Sequence, residues 1–224
     1  MDDVKIPPLR AYVFDLDGTL IDSKMDLVNS VNAMLLATGR AELSVETVAG
    51  YIGHGAPRLI ASALGLDTSE DARAQALDIF LEHYCRHKLD LTRPYPGVVE
   101  ALQALEGHPM AVLTNKPTKL SVEILEGLGI AQYFLAIYGG DSFPAKKPDP
   151  SGAHAILKEI GVSPEESALV GDSDVDVQTA RNARMRAIAV TYGFGTYDRT
   201  ANPADLYVDR LTELIALTDG NGRE

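Results

Sequence analysis

Two carboxylates one residue apart, Asp15 and Asp17, follow the apolar run Ala11-Tyr12-Val13-Phe14 and precede Gly18-Thr19-Leu20. Such a run reads as a buried strand. Residues i and i+2 of a strand share a face, so both carboxylates can serve one site at its carboxyl end. Gly18 permits a tight turn with backbone close to a ligand. The pair suits a hard, oxygen-loving cation such as Mg²⁺, and one carboxylate can also act as a nucleophile. Alone, Asp-x-Asp-Gly also fits a solvated turn, so partners elsewhere in the chain decide the matter.

Three further stretches could supply them. Thr114-Asn115 follows the apolar run 110–113 and offers a hydroxyl and an amide to an oxyanion, although the same dipeptide suits a turn or helix cap. In Lys146-Lys147-Pro148-Asp149-Pro150, two prolines fix the backbone and can aim a lysine inward as a point charge for phosphate. Gly171-Asp172-Ser173-Asp174-Val175-Asp176 places a glycine and three carboxylates after another apolar run. These suit a metal site, with Asp174 equally able to cap the next helix.

The elements that must position these residues fall into two blocks. After Leu20 the periodicity turns helical for about seventy residues, with no strand signal from 22 to 87. Ser23, Ser44 and Ser69 stand as N-caps, Gly53-His54-Gly55 is a break, and Pro57 occupies a first-turn position. A Pro-containing linker over 89–97 then leads into alternating helices and short strands. Strands are expected at 110–114, 134–138, 168–170, 187–190 and 206–208, and a C-terminal helix capped by Asp209. Residues 219–224 read as a frayed tail. The pattern predicts an α/β core with a parallel sheet flanked by helices, over residues 1–20 and 93–224. An all-helical cap over 21–92 is inserted directly after the first strand. Ligands of such sheets sit outside the carboxyl ends of the strands.

The 224 residues carry a formal net charge of -12, which argues against a nucleic-acid partner and means that local cations must attract any anionic substrate. One cysteine, Cys85, excludes an intrachain disulfide and fits a reducing, cytoplasmic setting. Met1-Asp2-Asp3 lacks the features of a signal peptide, and no apolar run reaches transmembrane length, so no membrane association is expected.

The order Asp-x-Asp-Gly-Thr, Thr, Lys-Pro, Gly-Asp-x-x-x-Asp, spread over nearly the whole chain, resembles the haloacid dehalogenase-like superfamily in its subgroup with a helical cap after the first motif. Tyr51-Ile52-Gly53-His54-Gly55, Tyr95-Pro96-Gly97-Val98, Gly139-Gly140-Asp141 and Thr191-Tyr192-Gly193 look most like the phosphoglycolate phosphatases. The resemblance implies a Rossmann-like core and phosphoryl transfer through an aspartyl-phosphate. Asp15 becomes the nucleophile and Asp17 the general acid and then base. Mg²⁺ is held by the carboxylate of Asp15, the carbonyl of Asp17 and Asp172, with Asp176 in support directly or through water. Thr114, the amide of Asn115 and Lys147 bind phosphoryl oxygens beside the Gly18 turn. Lys147 is preferred because it precedes Pro148, leaving Lys146 solvated.

Asp17 excludes dehalogenation, since a halide leaving group needs no proton. The expected reaction is Mg²⁺-dependent hydrolysis of a small phosphate ester, 2-phosphoglycolate before others. The alternatives are a sugar phosphate, pyrophosphate, a β-phosphoglucomutase-like reaction or a non-catalytic phosphate-binding module. His54 and Arg58 are the expected readers of the leaving group. His83, His87, His108 and His154 read as ordinary surface or helix-end residues, and Cys85 as packing. Arg184 stands where relatives carry a helix-ending glycine, so it must accept strain or another cap. Whether the chain is a monomer or homodimer is not legible.

Overall fold

A computed structural model describes residues 8–65 and 67–217. The chain runs β1 (Ala11–Phe14), β2 (Ile21–Asp22), α1 (Lys24–Ala37), α2 (Val45–Ala49), α3 (Ala56–Leu64), α4 (Glu70–His87) and β3 (Arg93–Pro94). It continues through α5 (Val98–Ala104), β4 (Met110–Leu113), α6 (Thr118–Gly127), β5 (Ala136–Tyr138), α7 (Ser151–Ile160), β6 (Ser167–Gly171), α8 (Asp174–Ala183), β7 (Arg186–Val190) and β8 (Leu206–Val208). Six strands form one sheet in the order β5-β4-β1-β6-β7-β8. Every pairing within it is parallel.

The sheet forms because its central strands are apolar on both sides, the composition that parallel strands covered by helices require. Alternate residues serve opposite layers. Tyr12, Phe14, Val112 and Val170 pack with Leu102, Leu120 and Ile124 of α5 and α6. Val13, Leu113 and Leu169 pack with Ile156, Leu157, Val177 and Ala180 of α7 and α8. After β1 the chain builds β4 and β5 on one side, then crosses to β6, β7 and β8 on the other. The carboxyl end of β1 therefore lies at a topological switch point, where open α/β sheets bind ligands.

Helices α1 to α4 stack beside that end. Their apolar stripes, including Leu27, Val31, Phe80 and Tyr84, belong to the same buried cluster as one face of the sheet. Two ties hold the block's entrance to its exit. Ile21–Asp22 pairs antiparallel with Arg93–Pro94. The buried Asp26 carboxylate accepts the N–H groups of Leu91 and Thr92 and the Thr92 hydroxyl. Ser44 and Ser69 cap α2 and α4 through Thr47 N–H and Ala72 N–H, as expected. Among the described residues no helix is long and apolar enough to cross a membrane.

Several expectations are corrected. Ser23 precedes α1 but makes no side-chain cap, because its hydroxyl is spent on Asp17. Asp22 belongs to a two-residue strand inside the stretch read as purely helical. The final helix is a 3₁₀ segment, Leu211–Leu217, and Glu213 rather than Asp209 accepts the N–H groups of Asp209 and Arg210 at its start. Cys85 is exposed, because α4 buries Phe80 and Tyr84 and turns the next position outward. Arg184 does take the left-handed conformation, at φ 61° and ψ 24°, so it accepts the strain. Met1-Asp2-Asp3 and the tail 219–224 lie outside the described residues.

Candidate active site

Three loops meet at the carboxyl end of β1. Asp15 comes from β1 itself, Asp172 and Asp176 from the end of β6 and the first turn of α8, and Lys147 from the loop before α7. All four side chains are buried. Lys147 Nζ lies 2.6 Å from Asp176 Oδ1 and 2.8 Å from Asp15 Oδ1. The other Asp176 oxygen accepts the N–H and hydroxyl of Ser173, which brace it against the helix start. Asp172 Oδ2 accepts the N–H groups of Phe194 and Gly195 at 3.1 and 2.7 Å. Each carboxylate can offer an oxygen within 4.8 Å of the others.

The electrostatics follow from crowding. Burial pushes Asp15 up to about 6, with Lys147 opposing and Asp176 adding to the rise. Asp172 is raised well above the ordinary carboxylate range, first by burial and then by Asp176 and Asp15. For Lys147, burial favours the neutral amine, but Asp15 and Asp176 outweigh it and hold the ammonium charged. One buried ammonium among three buried carboxylates leaves negative charge uncompensated, which a divalent cation would balance. Two glycines make room for the Asp172 carboxylate to stand there. A Cβ on Gly18 would fall 1.9 Å from Asp172 Oδ2, and one on Gly193 would fall 2.5 Å from it. The residues present therefore fit a divalent cation.

Asp17 leads a different life. Its carboxylate turns away from that trio and receives Lys116 Nζ at 2.8 and 2.9 Å and the Ser23 hydroxyl. Lys116 is buried, and its ammonium stands 4.7 Å from the ring centre of Tyr84 on α4. Burial alone would discharge this lysine, but the Asp17 carboxylate holds it charged. Asp15, Asp17, Thr114 and Lys116 open onto a chamber between the strand ends and the helical block. Its far wall is apolar, built from Leu27, Ile52, Leu59, Phe80 and Leu120.

Asp15, Asp172, Asp176, Lys147 and Thr114 are thus gathered as the sequence reading expects, and Lys146 is exposed. Three assignments change. The Asn115 side-chain amide is not free for an oxyanion. It donates to the carbonyls of Gly53 and Lys147 at 2.9 and 3.1 Å and accepts Lys147 N–H at 3.0 Å. Gly18 cannot offer its N–H, which is bonded to the Ile21 carbonyl, so its contribution is the room it leaves beside Asp172. His54 and Arg58 are exposed and absent from the chamber wall, with His54 lining an outer cleft beside Ser173 and Phe194. Glycines 53 and 55 are the parts of that loop that reach inward.

Lys116 went unread because a lysine after Thr-Asn at a loop start looks like an ordinary solvated charge. The available signal was its place: two residues beyond a strand-end hydroxyl, directly before Pro117. Together the groups offer a carboxylate beside a cation site, a hydroxyl at Thr114, an ammonium at Lys147, and a second carboxylate facing the chamber. That combination can bind and attack a phosphoryl centre and service a leaving group.

Comparison with known proteins agrees with this geometry. The family model described as haloacid dehalogenase-like hydrolase matches residues 12–190. A phosphoglycolate phosphatase of Vibrio parahaemolyticus is 40% identical over 217 residues, spanning 92% of this chain and 95% of that protein. One of Pseudomonas putida is 42% identical over 215 residues, spanning 92% and 78%. A crystal structure described as a predicted phosphoglycolate phosphatase from Haemophilus somnus superposes with a TM-score of 0.89 at 31% identity, covering 94% of this chain and 98% of that one. The chain belongs to the haloacid dehalogenase-like hydrolases.

Proposed function

We propose that this protein is a Mg²⁺-dependent phosphatase that hydrolyses 2-phosphoglycolate to glycolate and phosphate. The observation that carries the reading is the division between the two carboxylates of the first motif. Asp15 sits with Lys147 among the buried acids, whereas Asp17 sits in the chamber with Lys116. One is built to attack and the other to exchange a proton. The relatives named phosphoglycolate phosphatase, about 40% identical over nearly the whole chain, support the substrate.

Asp15 attacks phosphorus, the bond to the bridging oxygen breaks, and Asp17 gives that oxygen its proton. Asp17 then takes a proton from water, which attacks the aspartyl-phosphate and frees phosphate and the Asp15 carboxylate. Thr114 and Lys147 bind the transferring oxygens, and Asp176 holds Lys147 in line. Asp15, the Asp17 carbonyl and Asp172 would hold Mg²⁺, which offsets the charge of carboxylates and phosphate together. Residues 21–92 act as a cap over a core formed by 1–20 and 93–224, and exclude bulk water while the intermediate exists.

The test is phosphate release with and without Mg²⁺ from 2-phosphoglycolate, hexose and pentose phosphates, glycerol phosphate and pyrophosphate. Strong preference for 2-phosphoglycolate, lost in Asp15→Asn, is expected. Preference for a sugar phosphate or pyrophosphate would keep the chemistry and overturn the substrate. Release that is indifferent to Asp15→Asn would overturn the covalent route.

A further inference from the structure

The Tyr84 hydroxyl is buried in the chamber wall and has no hydrogen-bond partner among the described residues. A buried polar group left alone costs about 1–3 kcal/mol, so an orphan of this kind marks a missing partner. The Lys116 ammonium stands 4.7 Å from the centre of the tyrosine ring, and the two side chains feel each other's charge. An ammonium has three N–H donors. Two reach the oxygens of Asp17, and the third lies in the same corner of the chamber as the Tyr84 hydroxyl. Burial, the first cause, pushes the Tyr84 phenol up to about 12, so near neutral pH it stays protonated and able to donate.

We propose that Lys116 and Tyr84 form a two-donor receptor for a carboxylate carried by the leaving alcohol. This inference rests on the phosphatase reading above, which fixes where the substrate must lie. Phosphorus has to meet Asp15, and the bridging oxygen has to meet Asp17. Whatever the alcohol carries next to that oxygen falls beside the cation that touches Asp17, and that cation is Lys116. In 2-phosphoglycolate the carboxylate carbon is two bonds from the bridging oxygen, within the reach of both donors. Leu27, Ile52, Leu59, Phe80 and Leu120 give the hydroxyls of a sugar nothing to bond, so the wall penalises them. A chain of net charge -12 repels a trianionic substrate at long range, and a buried ammonium beside Asp17 offsets that locally. The assignment replaces His54 and Arg58, which face outward.

The experiment compares binding of 3-phosphonopropionate, the non-hydrolysable isostere, with that of propylphosphonate, which lacks the carboxylate. It is done by calorimetry on the Mg²⁺-loaded protein, for wild type, Tyr84→Phe and Lys116→Met. Tyr84→Phe keeps the ring and removes only the donor, so it decides the question if Lys116→Met fails to fold. The preference for the carboxylate is expected to fall about tenfold in Tyr84→Phe and about a hundredfold in Lys116→Met. For Tyr84→Phe the loss should appear in the KM for 2-phosphoglycolate more than in kcat. A wild-type preference that survives both changes overturns the receptor and leaves the substrate reading standing. A wild type with no preference between the two phosphonates overturns both.

Discussion

The side-chain amide of Asn115 donates to the carbonyl of Gly53 at 2.9 Å, joining the loop after β4 to the turn between α2 and α3. The same amide grips both backbone groups of Lys147. One residue therefore couples the position of the helical block to the loop that aims Lys147. Asn115→Ala leaves the buried N–H of Lys147 without its acceptor, at a cost of about 1–3 kcal/mol. Denaturant unfolding should register that loss, and kcat/KM should fall at least tenfold because Lys147 is no longer held. Faster amide exchange in 53–55 than in the wild type would accompany it. A stable variant with normal turnover would show the amide to be incidental.

Asp26 ties the block at its other end. Its buried carboxylate accepts Leu91 N–H at 3.0 Å, Thr92 N–H at 2.8 Å and the Thr92 hydroxyl at 2.7 Å. Hydrogen bonds to an ionised acceptor are roughly twice as strong as neutral ones. Asp26→Ala abandons three donors at once and should cost about 3 kcal/mol, lowering Tm by about 10 °C in a chain of this size. Asp26→Asn keeps one acceptor oxygen and should lose less. Thermal scans of the two variants would separate the carboxylate's charge from its shape.

These two ties also show where the sequence could be read and where it could not. The strands were legible because β1, β4, β6 and β7 are apolar at nearly every position and end in polar punctuation. The acid cluster was legible because Asp15 and Asp172 each stand at a strand end, where the topology does the gathering, and Asp176 follows in the first turn of the next helix. Contacts between the helical block and the strand ends were not. His54 and Arg58 looked suitable by residue type, but one lies on the loop before α3 and the other in its first turn, and both are exposed. Lys116 and Tyr84 meet across 32 residues through packing that no local period encodes. Asn115 looked like an oxyanion ligand, and only the fold reveals that backbone groups had already taken its amide.

The crowded acids give a pH signature whose sign can be worked out. Asp15 titrates at about 6 in the folded protein, above its ordinary 3.8, and Asp172 is raised as well. Between those values the native state binds more protons than the unfolded chain. These groups therefore favour the metal-free fold below the ordinary carboxylate range, and that contribution is lost as pH rises through about 6. A divalent cation needs the same carboxylates deprotonated, so its affinity should move the other way. Apparent Mg²⁺ affinity should weaken as pH falls below about 6, by up to about tenfold per pH unit for each proton displaced. Calorimetric titrations at several pH values would check this, with Asp172→Asn as control. Affinity independent of pH would place the cation elsewhere.

Arg184 is the only non-glycine residue with positive φ among the described residues, at φ 61°. It closes α8 with its N–H bonded to the Arg181 carbonyl, and its side chain is exposed. A left-handed backbone costs an L-residue about 1–2 kcal/mol, and glycine avoids that cost while losing some of the gain to its greater unfolded-state entropy. Arg184→Gly should therefore stabilise the protein by about 1 kcal/mol and raise Tm by about 2–4 °C. Arg184→Ala removes the same side chain but keeps the Cβ, and should bring no such rise. If both variants gain equally, the long cationic side chain is the cause. If only glycine gains, the backbone at the end of α8 carries the strain.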